Sequence, residues 1–477
     1  MGFAYQAFPR FKHTSLARPQ WAYASLWLML FGLVLRSILQ VMAAWHPFFI
    51  PAAILASTLE IGAILTFAYV IGATWHQSSK PLTVGEWYAA AAISWFIIQA
   101  VYESVYLAAT LYASGPQLIN LVATWQAPLR DIQIHGFALL MILGVSLRLL
   151  HGVYGFAPVP NRISVFALLG INAAVIGESV GLVLMRVYGH GWAALWYSAV
   201  CLLALTCTLL VIKLNPFATP VDSDRSLKFV RAAYAWLLIS LAMLVALPFY
   251  QFGLLSRLAP ASAAARIGFS HAYYGAVRHA ITVGFISLMI VGVASKVVPT
   301  LNGLDMSRLP GLWLPFCLIN VGCAWRVIGQ SLTDFASLSF APTGVSGVLE
   351  VTGLAVWGIH LWRIMAGCYQ EPSADMDQDE SQTEPILIGA TSIVGDVIAR
   401  HPELLPTFQA FGFRPLASPV LRRTIARQVT IGQACRLVGV DERDLLAALN
   451  SRFPGRGQLC QPGHEHQCGD MHCVCEN

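Results

Sequence analysis

Ten stretches of this chain are predominantly apolar for about twenty residues or more, and that feature decides most of what the chain can become. They lie at about 20–44, 49–75, 87–111, 133–155, 163–187, 191–213, 229–252, 276–298, 309–330 and 343–366. A helix of that length crosses the hydrocarbon core of a bilayer. Backbone groups in hydrocarbon must be paired internally, as a helix or a closed barrel. The runs are continuous rather than alternating, which selects helices. Only 11% of the residues are charged and 57% are hydrophobic, whereas a soluble domain carries roughly 25% charged residues. The expected fold class is all-α: a polytopic membrane protein of about ten transmembrane helices, followed by a small soluble helical domain. The first run holds Arg36 and lacks a small-residue cleavage site, so it reads as a span rather than a removable signal peptide.

Lysine and arginine in the short loops give an orientation. With the N-terminus inside, the inner side receives Arg10, Lys12, Arg18, Lys80, Arg148, Arg162, Lys213, Arg225, Lys228, Arg231, Lys296, Arg308 and Arg363. The outer side receives Arg130, Arg186, Arg257, Arg266 and Arg278. The expectation is a bacterial inner membrane protein with both termini cytoplasmic. The formal charge of +5 is then mostly topology, and the expected partner is the lipid bilayer, not nucleic acid. No cysteine falls in an outer loop, so a disulfide framework is not expected.

The chain also repeats itself. Gly136-Phe137, Leu140-Met141-Ile142, Gly144-Val145 and Arg148 recur as Gly284-Phe285, Leu288-Met289-Ile290, Gly292-Val293 and Lys296, at an offset of 148 residues. The same offset carries Ile171-Asn172 onto Ile319-Asn320 and Glu178 onto Arg326. At an offset of 290, Arg36 matches Arg326 and Leu59-Glu60 matches Leu349-Glu350. The unit is an internal four-helix repeat: spans 3–6 and 7–10 are whole copies, and spans 1–2 match the last two helices of another. Both whole copies run in the same direction, so an axis along the membrane normal should relate them.

Arg36, Glu60, Glu103, Glu178, Arg326 and Glu350 lie inside apolar runs. Each costs roughly 2.5–3.5 kcal/mol at a helix centre, so each should face the bundle and find a partner. Glu178 and Arg326 hold equivalent places with opposite sign, which suggests that they face each other. His135 and His279 begin equivalent helices near the expected outer face, four residues apart in repeat register. Imidazole is a usual ligand of haem iron and of copper, though a lone interfacial histidine is also an ordinary polar residue. His271 precedes His279 by about two turns, with Arg278 between.

These residues resemble the NnrS family, haem- and copper-containing bacterial membrane proteins linked to nitric oxide stress. Arg278-His279-Ala280, Thr282-Val283-Gly284, Met289, Gly292 and Lys296 are similar to the family's H-A-x-T-V-G run. His135-Gly136-Phe137 through Arg148 and His151-Gly152 form a looser match to its middle helix. The resemblance covers residues 20–366. It implies haem as a cofactor, His135 and His279 as axial ligands or as one haem and one copper ligand, His271 as the reserve, and Arg278 beside a haem propionate. The family's W-H-x-H-E-M run is absent, and Trp45-His46-Pro47 is only superficially similar. One metal site of the family is therefore expected to be missing.

The domain plan is 1–369 for the transmembrane part, 370–385 for an acidic linker, 386–452 for a small cytosolic helical domain and 453–477 for a Cys/His-rich tail. Val394-Gly395-Asp396-Val397, His401-Pro402-Glu403-Leu404, Phe408 and Gly412-Phe413 resemble a domain of unknown function that precedes hybrid-cluster-like and ScdA-type iron–sulfur repair proteins. Many such domains have a Cys pair soon after the Gly-Phe. Here Arg414-Pro415-Leu416-Ala417-Ser418-Pro419 has none, which favours docking of a cytosolic redox partner over chemistry. In the tail, Cys460, His464, His466, Cys468, His472, Cys473 and Cys475 are suited to copper or zinc. Their spacing is not that of a zinc finger, and a tail with incidental affinity is the plain alternative.

Three functions remain open at this point. The first is a haem-binding protein of nitric oxide or metal stress, redox-active or sensing. The second is a proton-coupled secondary transporter using Glu60, Glu178 and Glu350 without haem. The third is a membrane anchor that recruits a redox partner.

Overall fold

A computed structural model describes the chain except for residues 220–224, 268, 305, 307–308, 370–387, 414–415, 417–425, 427–428 and 452–477. It divides into two compact units, Met1–Asp375 and Met376–Asn477.

The first unit is all-helical among its described residues. Helix α1 (Gly2–Lys12) is short and packs on α3 through Phe8 and Ala4. The long helices follow: α2 (Pro19–Trp45), α3 (Ile50–Gln77), α4 (Val84–Tyr112), α5 (Gly115–Tyr154), α6 (Asn161–Tyr188), α7 (Ala193–Leu214), α8 (Leu227–Val245), α9 (His271–Leu301), α10 (Trp313–Leu332) and α11 (Phe340–Met365). Nine spans among the described residues are long and apolar enough to cross a membrane. Helix α10 is the expected tenth. Its 20 residues reach about 30 Å, but Asn320, Arg326 and Gln330 dilute its apolarity. It packs along α11 as a hairpin. Gly322 meets Ser346 and Glu350, Gly329 meets Thr343, and Gly353 meets Ile319, so the two helices run in opposite directions. The protein is an all-α polytopic membrane protein.

The repeat is built into the packing. A Cβ added at Gly32 would stand 2.8 Å from Glu60 Cγ, and one added at Gly322 would stand 2.7 Å from Glu350 Cγ. Hairpin α2–α3 thus repeats hairpin α10–α11 down to the glycine on which each glutamate lies. Trp95 Nε1 donates to Asn172 Oδ1 at 2.8 Å, and Trp236 Nε1 donates to Asn320 Oδ1 at 3.0 Å. The same two tryptophans cover Gly136 and Gly284. Copies α4–α7 and α8–α11 therefore share this Trp–Asn–Gly contact across three helices. The backbone differs at the entry into the second helix. Helix α5 starts at Gly115, whereas α8 is followed by a π-helical stretch, Phe249–Leu255, and a short helix, Ala263–Ile267, before α9.

Both second helices contain π-helical stretches at equivalent places, Ile132–Leu139 in α5 and Ala280–Ser287 in α9. Such turns are rare and frequently mark functional sites. His135 lies inside the first stretch, and His279 immediately precedes the second. The N-terminal half of α5 lies outside the expected span 133–155. It is a mixed polar and apolar helix that begins at a Gly-Pro pair and carries Pro128.

In the second unit, helices α12 (Val394–Arg400), α13 (Leu405–Ala410), α14 (Ile431–Val438) and α15 (Glu442–Asn450) enclose a core of Val394, Leu404, Phe408, Phe413, Ile431, Cys435, Leu445 and Leu449. Thr430 and Gln433 form a capping box at the start of α14. Asn450 closes the unit by bonding both backbone groups of Ile388.

Candidate functional site

The intramembrane charges are spent differently in each copy. In the middle copy, His135 Nδ1 lies 2.8 Å from Glu178 Oε2, and both residues are buried. With Glu178 ionised and the imidazole neutral, Nδ1 donates and Nε2 keeps its lone pair. Glu178 Oε1 has no hydrogen-bond partner among the described residues.

Beside this pair, two copies are tied together. Asp131 of α5 accepts from Tyr274 Oη and from Arg278 Nη2 of α9, each at 2.7 Å. Arg278 also donates to the carbonyl of Ala127 and lies over the Tyr274 ring. Asp131, His135, Tyr274 and Arg278 line a narrow cavity with Leu241, Leu244, Val277 and Ile281. It holds about one water molecule. Arg278 is thus joined to a carboxylate of this chain.

In the last copy, His279 Nε2 lies 2.8 Å from Glu350 Oε1. With Glu350 ionised and the imidazole neutral, the lone pair is on Nδ1. This pair is less enclosed: the His279 side chain is 20% exposed and that of Glu350 11%. Arg326, one turn from Gly322 on α10, donates from Nε to Gln330 Oε1 at 3.3 Å and has no ion pair among the described residues. The expected opposition of Glu178 and Arg326 does not form, because each acid is taken by the histidine of its own copy.

Hairpin α2–α3 has no matching second helix among the described residues. Arg36 itself closes on Glu60 at 2.6 Å and on Glu103 of α4 at 3.0 Å. Glu103 also accepts from Gln133, which accepts from Arg130. His271 stands apart: it is exposed, with its ring edge against Phe269.

Sequence reading missed Asp131 and Tyr274. One signal was present, since Asp131 holds the place of His279 at the 148-residue offset. No three His, Cys, Asp or Glu side chains converge as a metal-ion cage among the described residues. The tail ligands Cys460, His464, His466, Cys468, His472, Cys473 and Cys475 lie outside the described residues.

In the second unit, Cys435 is buried. Burial, then the nearby Glu442 carboxylate, pushes its thiol up to about 11. The thiolate fraction is therefore very small near neutrality and rises only as pH approaches that value. Iodoacetamide should label Cys435 slowly at pH 7.5 in the folded protein and rapidly after unfolding. Fast labelling of the folded form would mean a reactive thiol.

Fold and site together define a helical membrane protein of repeated four-helix units with carboxylate-paired histidines. Residues 104–363 match a family described as a domain of unknown function, DUF8744, and the chain belongs to that family. The match takes in both His–Glu pairs and leaves out Arg36, Glu60 and Glu103. Residues 388–446 match a second domain of unknown function, DUF1858. No curated protein matches.

Proposed function

We propose that the membrane unit binds haem, as the NnrS resemblance implies, and serves nitric oxide or metal stress as a redox or sensing protein. The observation that supports it is His279, a ring held by Glu350 with its other nitrogen free on a partly open flank. A carboxylate fixing the tautomer of a metal-binding imidazole is a usual arrangement. Haem would supply one-electron or gas-binding chemistry there. The fit differs at the two histidines. His135 opens on a cavity about one water in size, between Leu241, Leu244, Val277 and Ile281. The reading therefore rests on His279, and His135 serves the buried network with Glu178.

An optical spectrum of the full chain, purified from haem-supplied cells, tests this. A Soret band is expected, lost in His279→Ala and retained in His135→Ala. A colourless protein overturns the reading.

One observation favours proton-coupled transport as a second reading. Glu178 is buried with one oxygen unpaired, beside His135 and a cavity of about one water. Liposomes holding the colourless protein should then show proton uptake that Glu178→Gln abolishes.

The remaining assignments are proposals with direct tests. An alkaline phosphatase fusion after Glu371 should be inactive if the C-terminal unit is cytoplasmic. Truncation after Asn450 should lower bound copper or zinc without affecting haem. Pull-down with residues 386–452 in the full chain should enrich a redox protein if this unit docks one.

A further inference from the structure

Among the described residues, Arg326 is the one intramembrane arginine whose counterpart in another copy is fully compensated while it is not. Arg36, at the same place in hairpin α2–α3, holds two carboxylates. Arg326 shares only the side-chain oxygen of Gln330, because Glu350 is turned to His279. A guanidinium at this depth without an acid is costly, and it is stabilised by whatever anion reaches it.

Its level in the bundle is set by packing. Gln330 lies against Gly275, and Ala276 and Ala280 pack with Val327 and Cys323. Helices α9 and α10 therefore run in opposite directions side by side. Stepping one turn from Gly275 gives His279, and stepping one turn from Gln330 gives Arg326. The two residues therefore fall at the same level along neighbouring helices. Below them Glu350 lies on Gly322, fixing the imidazole.

We infer that Arg326, assisted by Gln330, binds the carboxylate or phosphate of a ligand that lies against the His279 flank. Guanidinium presents a planar fork of donors that fits both anions, and its two terminal nitrogens bond nothing among the described residues. The position replaces Arg278, whose fork is held by Asp131. This rests in part on the haem reading, because a haem propionate is one source of such a carboxylate. The other source is an anionic lipid headgroup.

Two arms separate the sources, both on the full chain in detergent. In the first, haemin is titrated against haem dimethyl ester, which keeps iron and ring but has no free carboxylates. Wild type should prefer haemin by roughly tenfold or more, the worth of one charge-assisted hydrogen bond. Arg326→Gln should erase the preference, Arg326→Lys should keep part of it, and His279→Ala should weaken both ligands. In the second, native mass spectrometry follows retained phosphatidylglycerol against phosphatidylcholine. Selective loss of phosphatidylglycerol in Arg326→Gln assigns the site to a lipid phosphate.

If wild type takes up no haem, the proposed function fails while the lipid arm still decides the site. If Arg326→Gln, eluting as a monodisperse folded protein, changes neither the haemin preference nor phosphatidylglycerol retention, the inference is overturned.

Discussion

Glu60 and Glu350 occupy the same place in two copies of one hairpin, each lying against a glycine, and yet they take different partners. Glu60 is held by Arg36 from its own hairpin. Glu350 is held by His279, from the second helix of its copy. The first copy is represented only by α2 and α3, so no second helix offers it an imidazole. Its arginine fills that role, and α4 of the next copy adds Glu103. In the last copy the histidine displaces the arginine, and Arg326 is left with Gln330. A closed ion cluster thus stands in hairpin α2–α3 where hairpin α10–α11 has a His–Glu pair and a spare cation. The middle copy shows a third arrangement: the acid itself moves to the arginine's position, as Glu178, and still meets the histidine of its second helix. What the two whole copies keep is a carboxylate within reach of the second helix. The element that supplies it varies.

The sharpest way to break this comparison is to remove each arginine. Arg36→Ala leaves Glu60 without its partner and Glu103 with Gln133 alone, and should destabilise the protein by about 3–5 kcal/mol, as for a severed buried ion pair. Arg326→Ala removes one hydrogen bond to an amide and, with it, an uncompensated charge, so the net change should lie within about 1 kcal/mol of zero. Unfolding of both variants in mixed micelles measures the difference. Equal losses would mean that Arg326 has an acid partner and that His279 has not displaced it.

A smaller effect tests the hairpins themselves. Gly32→Ala and Gly322→Ala each press a methyl group onto a glutamate Cγ and a neighbouring backbone carbonyl. Each should cost about 1–3 kcal/mol by overpacking. The costs should be alike, since the obstructing atoms are alike. Only Gly322→Ala should also disturb His279, because Glu350 orients that ring. A large inequality in stability would show that the two hairpins differ in more than their partners.

Much of this was legible in the chain before any fold was drawn, and the parts that were not have physical reasons. Arg36 with Arg326, Glu60 with Glu350, and Asn172 with Asn320 stood at constant offsets, because helices packed against one another tolerate no insertion within their length. The partners of those acids did not follow. Burial demands that a membrane carboxylate be paired, but two donors at the same level compete for it, and periodicity carries no information about which wins. The π-helical stretches were also invisible, since one residue added to a turn leaves an apolar run apolar. Helix α5 was longer than expected because its first half is half polar and reads as a loop. In the site, Asp131 was concealed by the same exchange that made His279 conspicuous: the repeat puts an acid in one copy where the other has an imidazole.

The tryptophans give the smallest and most exacting test of the copies' equivalence. Trp95 and Trp236 are related by an offset of 141 residues rather than 148, so neither stands out in an alignment made from the second and third helices. The seven-residue difference is taken up between the first and second helices of each unit, where the last copy has its π-helical stretch and short helix before α9. Despite that slip, each indole donates to the equivalent asparagine and covers the equivalent glycine. Phenylalanine keeps much of the ring's cover over the glycine and removes the donor. Trp95→Phe and Trp236→Phe should therefore each cost about 1 kcal/mol, the net worth of one hydrogen bond plus a little lost area. The two losses should also add in the double variant, because each bond belongs to its own copy and shares no partner with the other. Asn172→Leu combined with Trp95→Phe should recover part of the loss, since it removes an acceptor left without its donor. If one tryptophan proves neutral and the other costly, the indole–asparagine bond is not the common brace of the repeat. The matching of the copies would then rest on the glycines alone.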